Sequence, residues 1–370
     1  MTIDRCDDEK VKQRTRERVR EDMVRLSGAK LDLAPFIDEA GHLIAQALPF
    51  EGACWHTMDP ATLIETSVRM VNLPPHSALI TQNEYVHDDY NKFFQLARSP
   101  LHSGVLSEAT AGDLNRSTRY RQFLHPVGLQ GELRTSFVVD GTCWGSFVFF
   151  RAAPADFSTQ ERDFAHDLAA TLGRGFRAAL MQAGSAGTAV PPGPGMILLD
   201  GDHRVESITD PARGWLVELG STGEPSCDSL PHVILAVAER ARAAASDAIA
   251  RVPGTSGRWI VIHASAASGS PPGRVAVILQ GATPASIAPL IAAAYGLTRR
   301  ERELTELVLQ GHVTGDIAAR LFLSPHTVQE HLKSIFAKTG VHSRRELVGN
   351  VFMRHYQPRL QPAGTDGTPT

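Results

Sequence analysis

From Thr298 onward the apolar positions recur at helical intervals in short, punctuated blocks. Leu304, Leu307 and Val308 form one stripe, Ile317, Ala318 and Leu321 a second, Val328, Leu332 and Ile335 a third, and Leu347 with Val351 a fourth. Stripes of this period predict four short amphipathic helices packed around one small core. Their starts are marked by residues that satisfy free helix amides. Thr298 with Glu301, and Ser343 with Glu346, have the spacing of capping boxes; Thr314 is placed to cap the second helix, and Ser324 the third. Pro325 follows Ser324 at the first helical position, where a missing N–H costs nothing. Gly311 stands where the first helix needs a left-handed exit.

Upstream, the pattern shortens to period two. In "RTSFVVDGTCWGSFVFF" two β-rich runs meet at Asp140-Gly141, a pair that favours a hairpin turn. Bulky apolar groups fall on both faces of the second run, which predicts a sheet covered by helices on at least one side. Ser158 and Glu161 then open a long helix carrying Phe164, Leu168, Leu172 and Phe176 on one face. At the other end of the chain, Asp4 to Arg25 is dense in alternating charge over a sparse stripe of Val11, Val19, Met23 and Leu26. That pattern predicts an exposed helix, and it fits pairing with another chain as well as packing on its own domain.

Residues 183–195 are small, Pro and Gly residues with nothing to pack, and predict a linker. Strand and helix signals in the order β-β-α-α-β-β follow over 196–285, and 358–370 reads as a disordered tail. At 370 residues the chain exceeds one ordinary core. The expected division is a charged helix at 1–30, a sheet domain at 31–182, the linker, a second sheet domain at 196–285 and a helical module at 290–357.

Charge changes this picture only when read by region. Residues 290–357 hold nine Lys or Arg against six Asp or Glu, three positive charges net, so with -3 overall the remainder carries six negative. A modestly basic module on an acidic body suits phosphate contact confined to that module. Cys6, Cys54, Cys143 and Cys227 form no C-x-x-C pair, so neither a zinc site nor a disulfide framework is expected. Cys54 and His56 share a strand face with no identifiable further ligand, and no metal or other cofactor is implied. There is no G-x-x-x-x-G-K-[ST], G-x-S-x-G or H-E-x-x-H, and the chain is not expected to be an enzyme. A charged start and no bilayer-length apolar run place the expected protein in the cytoplasm, with no membrane partner.

The stretch "LTRRERELTELVLQGHVTGDIAARLFLSPHTVQEHLKSIFAKTGVHSRRELV" closely resembles the LuxR/FixJ-type helix-turn-helix domain, through Leu297-Thr298, Glu301, Gly311, Ile317-Ala318, Leu321, Ser324, Thr327-Val328, His331, Ile335, Lys338 and Gly340-Val341. The hairpin followed by Phe157-Ser158-x-x-Glu161 and a terminal helix resembles the end of a GAF domain, and 196–285 is similar to a small PAS-like sensor fold. The fold class implied is α+β multidomain, with GAF-like and PAS-like α/β sensor domains ahead of an all-α four-helix LuxR-type module.

The function implied is a homodimeric, sequence-specific regulator of transcription. Its partners would be double-stranded DNA, a second copy, RNA polymerase and a small-molecule ligand. The rival is a regulator whose front domains bind nothing and serve as dimerisation or interaction scaffold. Projected at about 100° per residue, the third helix sets His326, Gln329, Glu330 and Lys333 opposite its apolar stripe. In this resemblance that arc faces the major groove, where glutamine suits adenine N6/N7 and glutamate accepts from cytosine N4. The family often has lysine where Gln329 stands, so an unusual target is expected. Thr314, Thr327, Ser334, Lys338, Arg344 and Arg345 are the implied phosphate contacts. His331 and Glu301 are read as structural. Trp55, Phe137 and Trp144 are candidate walls of a ligand pocket in the GAF-like domain.

Overall fold

A computed structural model describes residues 3–73, 78–183, 193–222, 229–244, 246–268 and 272–349. Most of the expected linker, Cys227, Val351 and the expected disordered tail lie outside the described residues. The first unit contains α1 (Ile3–Ser27), α2 (Leu33–Ala45), β1 (Gly52–Met58), β2 (Glu65–Val71), α3 (Ala78–Tyr85), α4 (Phe93–Arg98), β3 (Ser103–Val105), α5 (Leu106–Ala109), β4 (Leu129–Val139), β5 (Thr142–Ala152) and α6 (Thr159–Ala183). Its five strands pair antiparallel in the order β2-β1-β5-β4-β3.

The β4–β5 turn falls at Asp140-Gly141, both with positive φ, and Val139 pairs with Thr142. Two consecutive left-handed residues match the twist of the flanking strands. α6 begins with the expected reciprocal bonds: the Glu161 amide donates to Ser158 Oγ at 3.3 Å, and the Ser158 amide to Glu161 Oε2 at 2.8 Å. α1, α2 and α6 cover one sheet face, where Val19 and Met23 of α1 are fully buried among Phe36, Phe147 and Phe176. Val11, by contrast, is 59% exposed. The charged helix therefore packs on its own unit, and Arg20 pairs with Asp167 of α6 at 2.6 Å. The opposite sheet face is covered by α3, α4, α5 and a turn at Tyr120–Leu124, so helices lie on both sides.

The second unit contains β6 (Gly195–Leu199), β7 (Val205–Ile208), α7 (Asp210–Glu218), α8 (His232–Ala244), β8 (Ala248–Pro253), β9 (Trp259–Ala266) and β10 (Val275–Gly281). Its antiparallel sheet runs β7-β6-β10-β9-β8. Three strands follow the helices where two were expected. The alanine-rich run ending α8 hides β8, whose strand character shows only in the burial of Ala248, Ala250 and Val252 on alternate positions.

α8 lies between the two units, with β9 on one side and β2 and α3 on the other. Ile64, from the β1–β2 connection, is buried in the core of the second unit. Two buried polar links cross the same seam. His232 Nε2 lies 2.7 Å from Glu65 Oε2, and Asp59 Oδ2 accepts from the Arg251 amide and from Arg251 Nη1, both at 2.9 Å. Beyond β10, α9 (Pro284–Ala294) leads into α10 (Arg299–Leu309), α11 (Thr314–Leu321) and α12 (Pro325–Thr339), with a further helical stretch at 344–349. Ile287 and Leu290 of α9 and Trp259 of β9 share a core with Leu304, Ile317, Val328 and Ile335.

Candidate nucleic-acid interface and ligand cavity

The C-terminal helices start almost as their capping residues dictate. Thr298 Oγ1 accepts the Glu301 amide at 3.3 Å while Glu301 Oε2 accepts the Thr298 amide at 2.7 Å, and Ser324 Oγ accepts the Thr327 amide at 3.0 Å. The last helix is capped by Ser343 Oγ, which accepts the Glu346 amide at 3.1 Å; the Glu346 carboxylate takes the His342 amide, one residue ahead of a standard box. Thr314 is not a cap. Val313 occupies the cap position without a side-chain bond, and Thr314 is the first helical residue, half-buried.

α11 ends on Phe322, in the left-handed conformation at φ 53° and 95% exposed. This residue bends the chain between α11 and α12, and a side chain there has little contact to offset its backbone cost. Phe322→Gly is expected to stabilise the chain by about 0.5–1 kcal/mol, part of the gain being offset by glycine's unfolded-state entropy. Denaturant unfolding measures it; a lower midpoint in the variant would refute the account.

Val328 and Ile335 of α12 are fully buried and Leu332 is 8% exposed, whereas His326, Gln329, Glu330 and Lys333 are all exposed on the other side. The four expected readout residues thus share one solvent-facing arc. Within it, Lys333 Nζ lies 2.8 Å from Glu330 Oε1, and this hydrogen-bonded pair draws the Glu330 pKa below the usual carboxylate range. Base reading by Glu330 would begin by giving up an exposed ion pair worth little in water.

Besides Thr314, which opens α11, the five other expected phosphate contacts separate into distinct groups. Arg345 is exposed and has no partner among the described residues. Thr327 is half-buried, its hydroxyl 2.8 Å from Ser324 Oγ, and Arg344 donates to the His312 carbonyl. Ser334 Oγ and Lys338 Nζ both turn inward to the Glu301 carboxylate, each at 2.7 Å. Glu301 is 3% exposed and holds α10 against α12. Sequence spacing marked it as a cap and as structural, but not as the anchor of the two groups expected on phosphate.

Trp55, Phe137 and Trp144 lie in a packed core and not on the wall of the cavity in the first unit. Each is at most 1% exposed in the core beneath α1, α2 and α6, Trp55 and Phe137 with their rings against Phe147 and Phe176. The cavity, about 90 Å³, opens on the opposite sheet face. Met70, Leu73, Phe123, Leu124, Val148 and Phe150 form much of its wall, and His56, Glu65, Thr81, Glu84, Arg119 and Arg134 bring polar atoms to it. Cys54, also on the wall, is buried so thoroughly that its thiol pKa is pushed far up, which makes it an apolar surface rather than a nucleophile. Among the described residues no cluster of three or more metal-ligating side chains occurs.

Residues 296–350 match the family described as bacterial regulatory proteins, luxR family. An HTH-type transcriptional regulator of Mycobacterium tuberculosis is 48% identical over 58 residues, 16% of this chain and 7% of that protein. The spore germination protein GerE of Bacillus subtilis is 44% identical over 52 residues, 14% of this chain and 70% of GerE. The chain belongs to the luxR family of bacterial regulatory proteins. This membership rests on the C-terminal helices, and the chain spans only 7% of the length of the mycobacterial relatives. A GAF domain of a phosphoenolpyruvate-protein phosphotransferase from Coxiella burnetii is 14% identical with a TM-score of 0.28, over 43% of this chain and 90% of that one. No helix among the described residues is long and apolar enough to cross a membrane.

Proposed function

We propose that this LuxR-family chain is a sequence-specific DNA-binding regulator of transcription that acts as a homodimer, with its two sheet units sensing a small molecule. The observation that carries the DNA reading is the exposed arc of His326, Gln329, Glu330 and Lys333 on a helix whose other side is fully packed. A face so polar on so rigidly seated a helix has the shape and donors for a major groove. Two copies would set two such helices about one helical turn apart, on a near-palindromic site.

Selection from a random DNA pool tests this directly. Symmetric enriched sites are expected; asymmetric sites would remove the dimer, and no enrichment with a flat salt dependence would remove DNA binding. Gln329→Ala and Glu330→Ala should each relax preference at particular bases by about 1–3 kcal/mol. Arg345→Ala should weaken all sites alike and lower the salt slope by about one. Uniform loss from all three variants would sink the division between reading and phosphate residues.

The cavity in the first unit, with its apolar wall set beside buried charged groups, supports sensing over a pure scaffold role. RNA polymerase is the remaining partner of this reading, contacted from the DNA-bound dimer.

A further inference from the structure

The sensing reading leaves the ligand's chemistry open, and the wall of the cavity constrains it; the inference here rests on that reading. Side chains directly opposite one another on neighbouring antiparallel strands stand on the same sheet face. Met70 of β2 and Val148 of β5 are both opposite Cys54 of β1, so the three form one row across the sheet, and this row is the floor of the cavity. Phe123, Leu124 and Val127, from the turns that cover this face ahead of β4, supply its roof. Most of the surface facing the cavity is therefore hydrocarbon or sulfur.

The charged side chains on the wall spend their polar atoms on partners within the protein. The Glu84 carboxylate accepts from Arg134 Nη1 at 2.7 Å and from the Phe93 amide at 2.8 Å. Arg134, opposite Val148 at the end of the same row, also lies over the Phe93 ring at 4.5 Å. Arg119 gives Nε and Nη2 to Glu132, at 2.8 and 2.7 Å, and Nη1 to the Asn83 side chain at 3.1 Å. Glu65 Oε2 lies 2.7 Å from His232 Nε2. Glu65, Glu84, Arg119 and Arg134 are each at most 4% exposed.

A ligand carrying a charge would have to draw one of these groups away from its partner in a buried place, whereas a hydrocarbon leaves every one of the bonds standing. The wall recognises by fit and by apolar contact. We infer that the cavity's ligand is a small uncharged molecule, mostly hydrocarbon, lying between the row of Met70, Cys54 and Val148 and the roof of Phe123, Leu124 and Val127. The cavity's 90 Å³ sets the size. At roughly 10–15 Å³ for each water-sized group, the chamber takes about six to nine non-hydrogen atoms, the range of a benzene ring with a short substituent.

Three probes that share one ring and differ in charge test the proposal: toluene, benzylamine and benzoate, added to the full chain while thermal unfolding is followed. Toluene is expected to raise the midpoint, and both charged probes to act at least about tenfold more weakly in apparent affinity. Naphthalene, just beyond the size the chamber takes, should act more weakly than toluene. In Phe123→Ala, which opens the roof at a half-buried position, naphthalene should gain on toluene by about tenfold. The ratio of the two probes is insensitive to a general loss of stability in the variant.

Benzylamine or benzoate stabilising as well as toluene would overturn the uncharged class and leave the sensing reading standing. No response to any of the probes would overturn both. A ratio of naphthalene to toluene unchanged in Phe123→Ala would place the binding elsewhere and overturn the site.

Discussion

Arg251→Met is expected to destabilise the chain by about 3–5 kcal/mol near pH 8, the loss that follows when one partner of a buried ion pair is removed. Asp59 is fully buried, and the Arg251 amide and Nη1 supply two of the three bonds its carboxylate accepts, the third coming from the Ala61 amide. Burial raises the Asp59 pKa and Arg251 opposes that rise. Without the guanidinium the carboxyl goes higher still and can escape the penalty by taking a proton. The cost to the variant must therefore shrink as pH falls, and a loss that is the same at pH 5 as at pH 8 would contradict the ion-pair account. Adding Asp59→Asn to Arg251→Met should recover part of the stability, and a double-mutant cycle by denaturant unfolding measures the coupling.

The same guanidinium does more than pair with Asp59. Its Nε donates to the Ser286 carbonyl in α9, so Arg251 joins the β1–β2 connection of the first unit to the helix that leads into α10. Glu65, on the cavity wall, opens β2 directly after Ile64 of that connection, and Asp59 donates its amide to the Ile64 carbonyl at 2.9 Å. The cavity wall is thus joined by a short run of hydrogen bonds to α9, ahead of the C-terminal helices.

What was legible in advance follows the range of the interactions. The caps at Thr298, Ser324 and Ser343 bond amides three residues away, and the stripe of Val328, Leu332 and Ile335 is set by helix geometry alone, so short segments carry that information. The Asp140-Gly141 turn is equally local. Thr314 failed by one position, because a threonine beside a valine does not say which residue precedes the helix. Period two separates Trp55 from Cys54 and His56 on β1, yet it cannot say which face receives α1, α2 and α6 and which keeps a cavity. That choice depends on helices distant in the sequence, and the aromatics went to the packed face. The bonds of Ser334 and Lys338 were hidden for the same reason. Both lie where a phosphate contact is expected, but their partner Glu301 is 33 and 37 residues away.

Glu301→Gln is the second large effect, and its sign with pH follows from the carboxylate's surroundings. Burial alone would raise the pKa of Glu301; the bonds from Lys338, Ser334 and Thr298 overcome this and hold it at about 2. A carboxyl depressed in the folded state contributes its stability in full above the unfolded value and loses it as pH falls through the folded one. The window here is therefore about pH 4.5 down to 2. At about 1.4 kcal/mol per pH unit the whole shift would be worth about 3.5 kcal/mol at pH 7, and because Lys338 keeps part of its hydration the contribution is discounted to on the order of 2–3 kcal/mol. Glutamine can still accept one bond but cannot balance the ammonium, so protection from hydrogen exchange within 299–339 should fall by that amount at pH 7 and by clearly less at pH 3, part-way down the window. A deficit unchanged at pH 3 would mean that shape, not charge, holds the helices. Because Glu301 ties α10 to the far end of α12, the variant should also weaken every DNA site together without changing base preference. That pattern separates it from Gln329→Ala and Glu330→Ala, which act on the proposed reading face.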